Sequence, residues 1–263
     1  MACCLVSWLL YTAVSWLVAF AAWFKLADAD LTLLFKSKFG LSIATLRGKV
    51  IWITGASSGI GEYLAYELAK VGSRLILSGT NLENLELVKN NCIEFGKDKG
   101  TEVLVLPFSI CDFSSHSEQL QKVLDHFGKV CISLPYSYLA FTGVCVEGYY
   151  ECLRMEGVIL GGLHVTITCP GPVFSRIRER ALTATPGKLY NKKDTPNARL
   201  MPTERCAQLI AVAIANKMDE VWISQNPILL LVYLAQYMPS IFRNYVVKLL
   251  FTEDRVRKMR EGQ

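Results

Sequence analysis

From Val50 the chain runs apolar and then breaks into a turn of small residues, "VIWITGASSGIG". Beyond it, Ile60, Leu64, Leu68 and Val71 recur near helical spacing. The change of period predicts a strand over Gly48–Thr54 and a helix over Gly59–Val71. The same alternation then repeats. Arg74–Gly79 reads as a second strand, and Asn81–Phe95 as a second helix with Leu82, Leu85 and Val88 on one face. Thr101–Ser109 reads as a third strand, and Ser114–Phe127 as a third helix capped by Ser114 or Ser115 with Glu118 nearby. Further on come a helix over Glu147–Met155, a strand over Leu163–Cys169, a helix over Thr203–Asn216 capped at Thr203, and a strand over Glu220–Ser224. Pro227–Phe242 reads as an apolar helix interrupted at Pro239. Strands alternating with helices imply an α/β fold, a Rossmann-like doubly wound parallel sheet covered on both faces.

The start of the chain follows a different pattern. Met1–Phe24 carries no charged side chain, and its apolar stretch has about the length that crosses a bilayer core. No basic side chain precedes it, and it exceeds the apolar core of a cleavable signal. The reading is an uncleaved, single-pass N-terminal transmembrane helix. Lys25, Lys36, Lys38, Arg47 and Lys49 follow it, which leans the domain towards the cytosolic side. The expected organisation is a membrane anchor over 1–25, a connector over 26–47, a Rossmann-like domain over 48–250 and a tail over 251–263.

Composition narrows the partners. The 263 residues are 52% apolar, enough for one core, and part of the mean hydropathy of +0.30 belongs to the N-terminus. Net charge is +5, with no dense Lys/Arg patch interleaved with aromatics, so a nucleic-acid partner is not expected. A mild positive excess suits an anionic membrane face. The nine cysteines are odd in number and form no C-x-x-C pair, and the three histidines show no ligand spacing. Neither a disulfide framework nor a metal site is expected.

The small-residue turn carries the first chemistry. Gly55, Gly59 and Gly61 are spaced G-x-x-x-G-x-G between a strand and a helix. Glycine lets the backbone approach a pyrophosphate, and the helix N–H groups and dipole attract its charge. Thr54, Ser57 and Ser58 add hydroxyls, and Ile60 completes the turn. At the end of the second strand, "SGTN" from Ser78 offers no acid for an adenosine ribose, which disfavours NAD(H). No Arg stands there for a 2′-phosphate, so NADP(H) is favoured only mildly.

With "ADADLTLL", "TGASSGIG", "VLVLP", "CPGPV" and "EVWIS" in this order, the chain resembles the short-chain dehydrogenase/reductase family, close to a membrane-anchored branch. The resemblance implies an NADP(H)-dependent oxidoreductase of lipophilic carbonyls and alcohols, of retinoid or steroid type, at the endoplasmic reticulum membrane. It leaves a homo-oligomer open. It places Pro170, Gly171, Val173 and Ser175 at the nicotinamide carboxamide. Tyr138 is its best match to the catalytic tyrosine, with Ser133 as the serine. Ser109 stands where the family has an Asp facing adenine, and the nearby Asp112 reads as a helix cap.

The chain departs from the family in its middle. The family's Asn-rich fourth strand is absent. Tyr138 is followed at the lysine position by Thr142, and Ser133 precedes Tyr138 by only five residues. A tyrosine acid must have its pKa drawn down from near 10, and an uncharged threonine does not do that. Tyr150 and Arg154 have the right interval, but lie where the family has a packing aromatic. About thirty residues separate Val130 from Leu163, room for one strand and one helix at most, since a βαβ unit alone takes about 30. The expected sheet is therefore missing central strands, with the domain incomplete around 130–162 and a sheet edge opened. Two functions stay open: an oxidoreductase, or a catalytically inactive shortened relative that keeps nucleotide or partner binding.

Overall fold

The structure is a computed structural model, and it describes residues 2–134, 143–161, 163–174, 200–250, 252–254 and 256–257; side chains at 2–5, 9, 23, 26, 143–147 and 160 lie outside the description. The chain begins with α1 (Ala2–Leu26) and α2 (Leu31–Phe39), then a single 3₁₀ turn at Ile43–Leu46. The alternation follows as β1 (Val50–Thr54), α3 (Gly59–Lys70), β2 (Arg74–Gly79), α4 (Leu82–Phe95), β3 (Glu102–Pro107), α5 (His116–Phe127) and β4 (Ile132–Leu134). Then come α6 (Gly143–Leu160), β5 (Ile167–Pro170), α7 (Thr203–Ala215), β6 (Glu220–Ile223) and α8 (Ile228–Tyr237). Short α and π turns run on through 239–250, after the expected break at Pro239.

Four strands form one parallel sheet in the order β3-β2-β1-β4, with Ile51 opposite both Leu75 and Ile132. Strands covered on both faces read as continuous apolar runs, and Ile51, Ile53, Leu75, Ile76 and Leu77 are all fully buried. Ile53, Leu75 and Leu77 face a core shared with α3, α4 and α7. Val50, Ile76 and Leu106 face the other way, against Val123 of α5. The winding thus reverses between β1 and β4, the place where such sheets open a crevice at their carboxyl ends.

The sheet is not continuous. β5 and β6 make a separate parallel pair, and among the described residues no strand joins β4 to β5. Three-residue β4 is paired with β1 alone. Val221 and Ile223 of β6 nevertheless belong to the same core as Ile51 and Ile53, because α7 packs along α3 over both sheets.

Several local expectations are corrected. Residues 26–47 are not a loose connector but part of the domain: Ala29 and Leu33 are fully buried and Leu46 nearly so. Asp30 caps α2 by accepting from Leu33 N at 2.7 Å, while its other oxygen accepts from Trp222 N at 2.8 Å. Asn216 holds Leu41 by two hydrogen bonds, of 2.7 and 3.1 Å. Ser115 occupies the N-cap position of α5, as expected, but its side chain makes no cap bond. A 3₁₀ turn at Phe113–Ser115 precedes the helix, and the Ser114 hydroxyl donates to Asp112 at 2.6 Å. Thr203 is not the cap of α7; its hydroxyl donates to Phe174 O, which ties α7 to the segment after β5. α6 runs longer than expected, from Gly143 to Leu160.

The backbone of α1 is helical over 25 residues, about 37 Å at the α-helical rise. Among the described residues, which are interrupted at side chains 9 and 23, no helix is long and apolar enough to cross a membrane.

Candidate functional site

The strand-to-helix turn sits at the carboxyl end of β1, beside the point where the winding reverses. Gly55 and Gly59 have φ of 68° and 64°, the left-handed region that costs other residues 1–2 kcal/mol. Gly61 is needed for a different reason. A Cβ there would lie 2.5 Å from Gly55 O, so only glycine lets α3 start this close under the loop. Ala56 N donates to Ser78 O at 3.0 Å, which pins the loop to β2. Ser58 occupies the N-cap position of α3 without a side-chain cap bond, so the first-turn N–H groups are left to an incoming acceptor. Glu62, the acid of that turn, accepts from the Tyr66 hydroxyl at 3.0 Å.

The other predicted nucleotide residues divide by what their side chains already do. Thr54 donates its hydroxyl to Leu134 O at 3.2 Å and closes β1 onto β4 at the crevice. Ser57 and Ser58 are half-buried on the loop, and Ile60 is buried in the core beneath it. Ser78 is buried: it accepts from Trp52 Nε1 at 2.9 Å and donates to Ile53 O. Its side chain therefore supports the fold, and Ser78 meets the site through its backbone. Sequence reasoning missed Trp52, whose indole is the partner that fills this place. The available signal was an aromatic in an otherwise aliphatic strand, since a buried indole N–H needs an acceptor. Past β3, Ser109 is exposed and accepts from Cys111 N at 3.3 Å. Hydrogen bonding by Ser114 lowers the pKa of the exposed Asp112 carboxyl from its ordinary value.

The second cluster lies at the carboxyl end of β5. Gly171 N donates to Ile223 O at 2.8 Å, and a Cβ at Gly171 would collide with Ser224. Val173 bridges in parallel to Met201, with Phe174 N donating to Met201 O at 2.9 Å. Pro170, Gly171 and Val173 are thereby held as a fixed turn. Ser175 lies outside the described residues.

The proposed acid–base residues are less well placed. Tyr138 and Thr142 lie outside the described residues. Ser133 is exposed in the middle of β4, opposite Trp52, rather than at a strand end. Tyr150 is half-buried; burial first, and then the neighbouring Tyr149, raise its pKa, the opposite of what a proton-transferring tyrosine needs. Arg154 is engaged by the Glu151 carboxylate. The Tyr150/Arg154 pair thus has the interval of a catalytic pair without its electrostatics.

The family model for short chain dehydrogenase matches residues 49–132, from β1 to β4. Dehydrogenase/reductase SDR family member 7 of Homo sapiens is 31% identical over 280 aligned positions, covering 82% of this chain and 82% of the relative. The Mus musculus protein of the same name is 32% identical with the same coverage. The chain belongs to the short-chain dehydrogenase/reductase family. The shape agrees: a putative short chain dehydrogenase from Pseudomonas syringae superposes with a TM-score of 0.56 at 14% identity, covering 67% of this chain and 92% of that one. The L-sorbose reductase of Gluconobacter frateurii, solved with NADPH and L-sorbose, superposes with 0.54 at 15%, covering 68% and 96%. The human match also measures what this family member lacks. Since 82% of 263 residues is about 216, about 64 of the 280 aligned positions carry no residue of this chain.

Proposed function

We propose that this chain is a membrane-anchored oxidoreductase of the short-chain dehydrogenase/reductase family. It holds NADP(H) at the Gly55–Gly61 turn and acts on lipophilic carbonyls or alcohols of retinoid or steroid type at the endoplasmic reticulum. The observation that carries the reading is the close approach of Gly61 to Gly55 O, which sets the glycine turn directly over helix N–H groups that have no side-chain cap. The residues fit the group. No carboxylate stands at 78–81 to favour NAD(H). When bound, the cofactor supplies hydride. This chain's own residues then divide the work. The N–H groups from Gly59 to Gly61 hold the pyrophosphate, with Ser57 and Ser58 donating beside them. The turn at Pro170, Gly171, Val173 and Ser175 receives the carboxamide, as the family places it. Tyr138 is the group assigned to give the substrate oxygen its proton, with Ser133 as the serine that the family resemblance pairs with it. The charge-free apolar sequence from Met1 to Phe24 supports α1 as the anchor.

A specific observation favours a second reading, in which the nucleotide is bound without turnover. Among the described residues no strand joins β4 to β5, and Tyr150 and Arg154 do not make up for the lysine that Tyr138 lacks. We assign the roughly 64 absent positions to this break, where the match to the family model ends. One pair of measurements separates the readings on the full chain. NADPH fluorescence titration tests the site, and loss of NADPH absorbance with retinal or a ketosteroid tests turnover. Binding with turnover that Tyr138→Phe abolishes supports the first reading, and binding without turnover supports the second. Absence of NADPH binding overturns both.

A further inference from the structure

We propose that the domain lies on the membrane in a fixed pose, with α2 and the segment 228–250 forming a basic, apolar collar that enters an anionic lipid interface around the exit of α1. The proposal rests on reading α1 as the anchor. Its first support is the junction. α1 ends at Leu26, and the next residue, Ala27, is already buried. Asn226 Nδ2 donates to Phe24 O at 3.0 Å, Arg205 Nε pairs with Asp28 at 2.7 Å, and Asp30 N donates to Trp222 O at 2.9 Å. The helix therefore leaves the domain with no slack, and whatever surrounds its exit is carried to the lipid surface.

What surrounds it is apolar and exposed. Asn226, which grips α1, stands two residues before α8. Asp30, the cap of α2, holds Trp222 of β6, and α8 follows β6 after a link of four residues. On α2, Leu31, Phe35 and Phe39 form an outward stripe at i, i+4 and i+8, exposed by 61%, 59% and 74%, while Leu33 faces the core. Past α8, Tyr237, Tyr245 and Leu249 are exposed by 75%, 72% and 80%. Between the last turns of α1 and Asn226 opens a groove lined by Phe20, Ala21, Phe24 and Lys25.

Charge decides the occupant. Lys36, Lys38, Arg243 and Lys248 lie on these elements, and neither Leu31–Phe39 nor 227–250 contains a single Asp or Glu, although the chain has 23 acids against 28 bases. Exposed cations beside exposed aromatics and aliphatics fit the headgroup–acyl boundary of an anionic leaflet. A second copy would bring the same positive face against this one. The far side of the domain differs: α4 and α5 mix exposed Leu87 and Leu120 with Glu83, Glu94, Glu118 and Asp125.

The test places the full chain, one copy per lipid disc, in phosphatidylcholine containing a phosphatidylserine with a carbene-generating group below the headgroup. Illumination and peptide mapping follow. The expected result is adducts on α1, on 31–41 and on 228–250, with α4 and α5 unlabelled. Lys36→Glu with Lys38→Glu, both exposed, lowers the α2 adducts at least fivefold and leaves those on α1 unchanged. Adducts on α1 with none on α2 or 228–250 above the α5 level overturn the proposal while the anchor stands. Failure of the chain to float with the discs overturns the anchor reading and the proposal with it. Labelling of α2 that requires two copies per disc assigns the face to self-association and also overturns it.

Discussion

At the residue scale the site depends on atoms that are absent. Gly61→Ala puts a methyl group 2.5 Å from Gly55 O, a backbone atom that moves only if the loop moves. The expected result is NADPH affinity lowered at least tenfold in a fluorescence titration, with about 1–3 kcal/mol of stability lost in denaturant unfolding. Gly61→Ala that binds NADPH like the parent would remove the cradle as the basis of the nucleotide reading. The glycine spacing was legible in the sequence because its cause is local: a chain turning from strand to helix under its own loop. Ser78 was legible only as a position. Its hydroxyl is claimed by Trp52, 26 residues earlier and on the neighbouring strand, and a contact across a parallel ladder leaves no trace in local spacing.

At the element scale the strands were legible and the connector was not. β1 and β2 are buried on both faces, so their apolar character is continuous and their bounds emerge from hydrophobicity alone. Residues 26–47 bury isolated Leu33 and Leu46 and are held by partners far along the chain, Asp30 by Trp222 and Leu41 by Asn216, and mixed polarity over such a stretch resembles a linker. Asp30 is the joint of this element: it caps α2 and receives Trp222 N. Asp30→Ala removes both bonds and leaves a backbone N–H of β6 without its partner. About 2–4 kcal/mol of stability is expected to disappear, with faster amide exchange at 31–39; unchanged exchange there would return this segment to a linker. The α3–α4 interface sets an alkaline limit. Burial raises the Cys92 thiol of α4 from 9.0 to about 12, and burial first among its causes raises the Tyr66 phenol of α3 from 10.0 to about 12. Both are held neutral in the fold and ionise more readily in the unfolded chain. Their contribution is thus intact below pH 9 and is lost as pH rises through 12. Cys92→Ala should flatten the fall in unfolding free energy between pH 9 and 11, and an unchanged slope would exclude the thiol as its source.

At the scale of the whole molecule, one core spans a divided sheet. Helix-covered parallel strands would ordinarily hold together through their ladder, but here β4 and β5 share no described hydrogen bond. What joins the halves is the packing of α7 on α3, which gathers Ala207, Leu209 and Ala211 into one core with Leu64, Leu68, Ile51 and Ile53 and with Val221 and Ile223 of β6. If that helix pair is the main mechanical link, neither sheet is stable without it, and a defect placed there must be felt on both sides. Leu209 is fully buried in α7 and belongs to no strand. Leu209→Ala removes three carbon atoms from that joint, with an expected cost of about 2–5 kcal/mol. Native-state hydrogen exchange should then show the β1–β2 amides and the β5–β6 amides accelerated by the same factor, in one cooperative opening. Acceleration confined to β5 and β6 would mean that the four-stranded half folds by itself, and that the nucleotide turn does not need the second sheet to hold its shape.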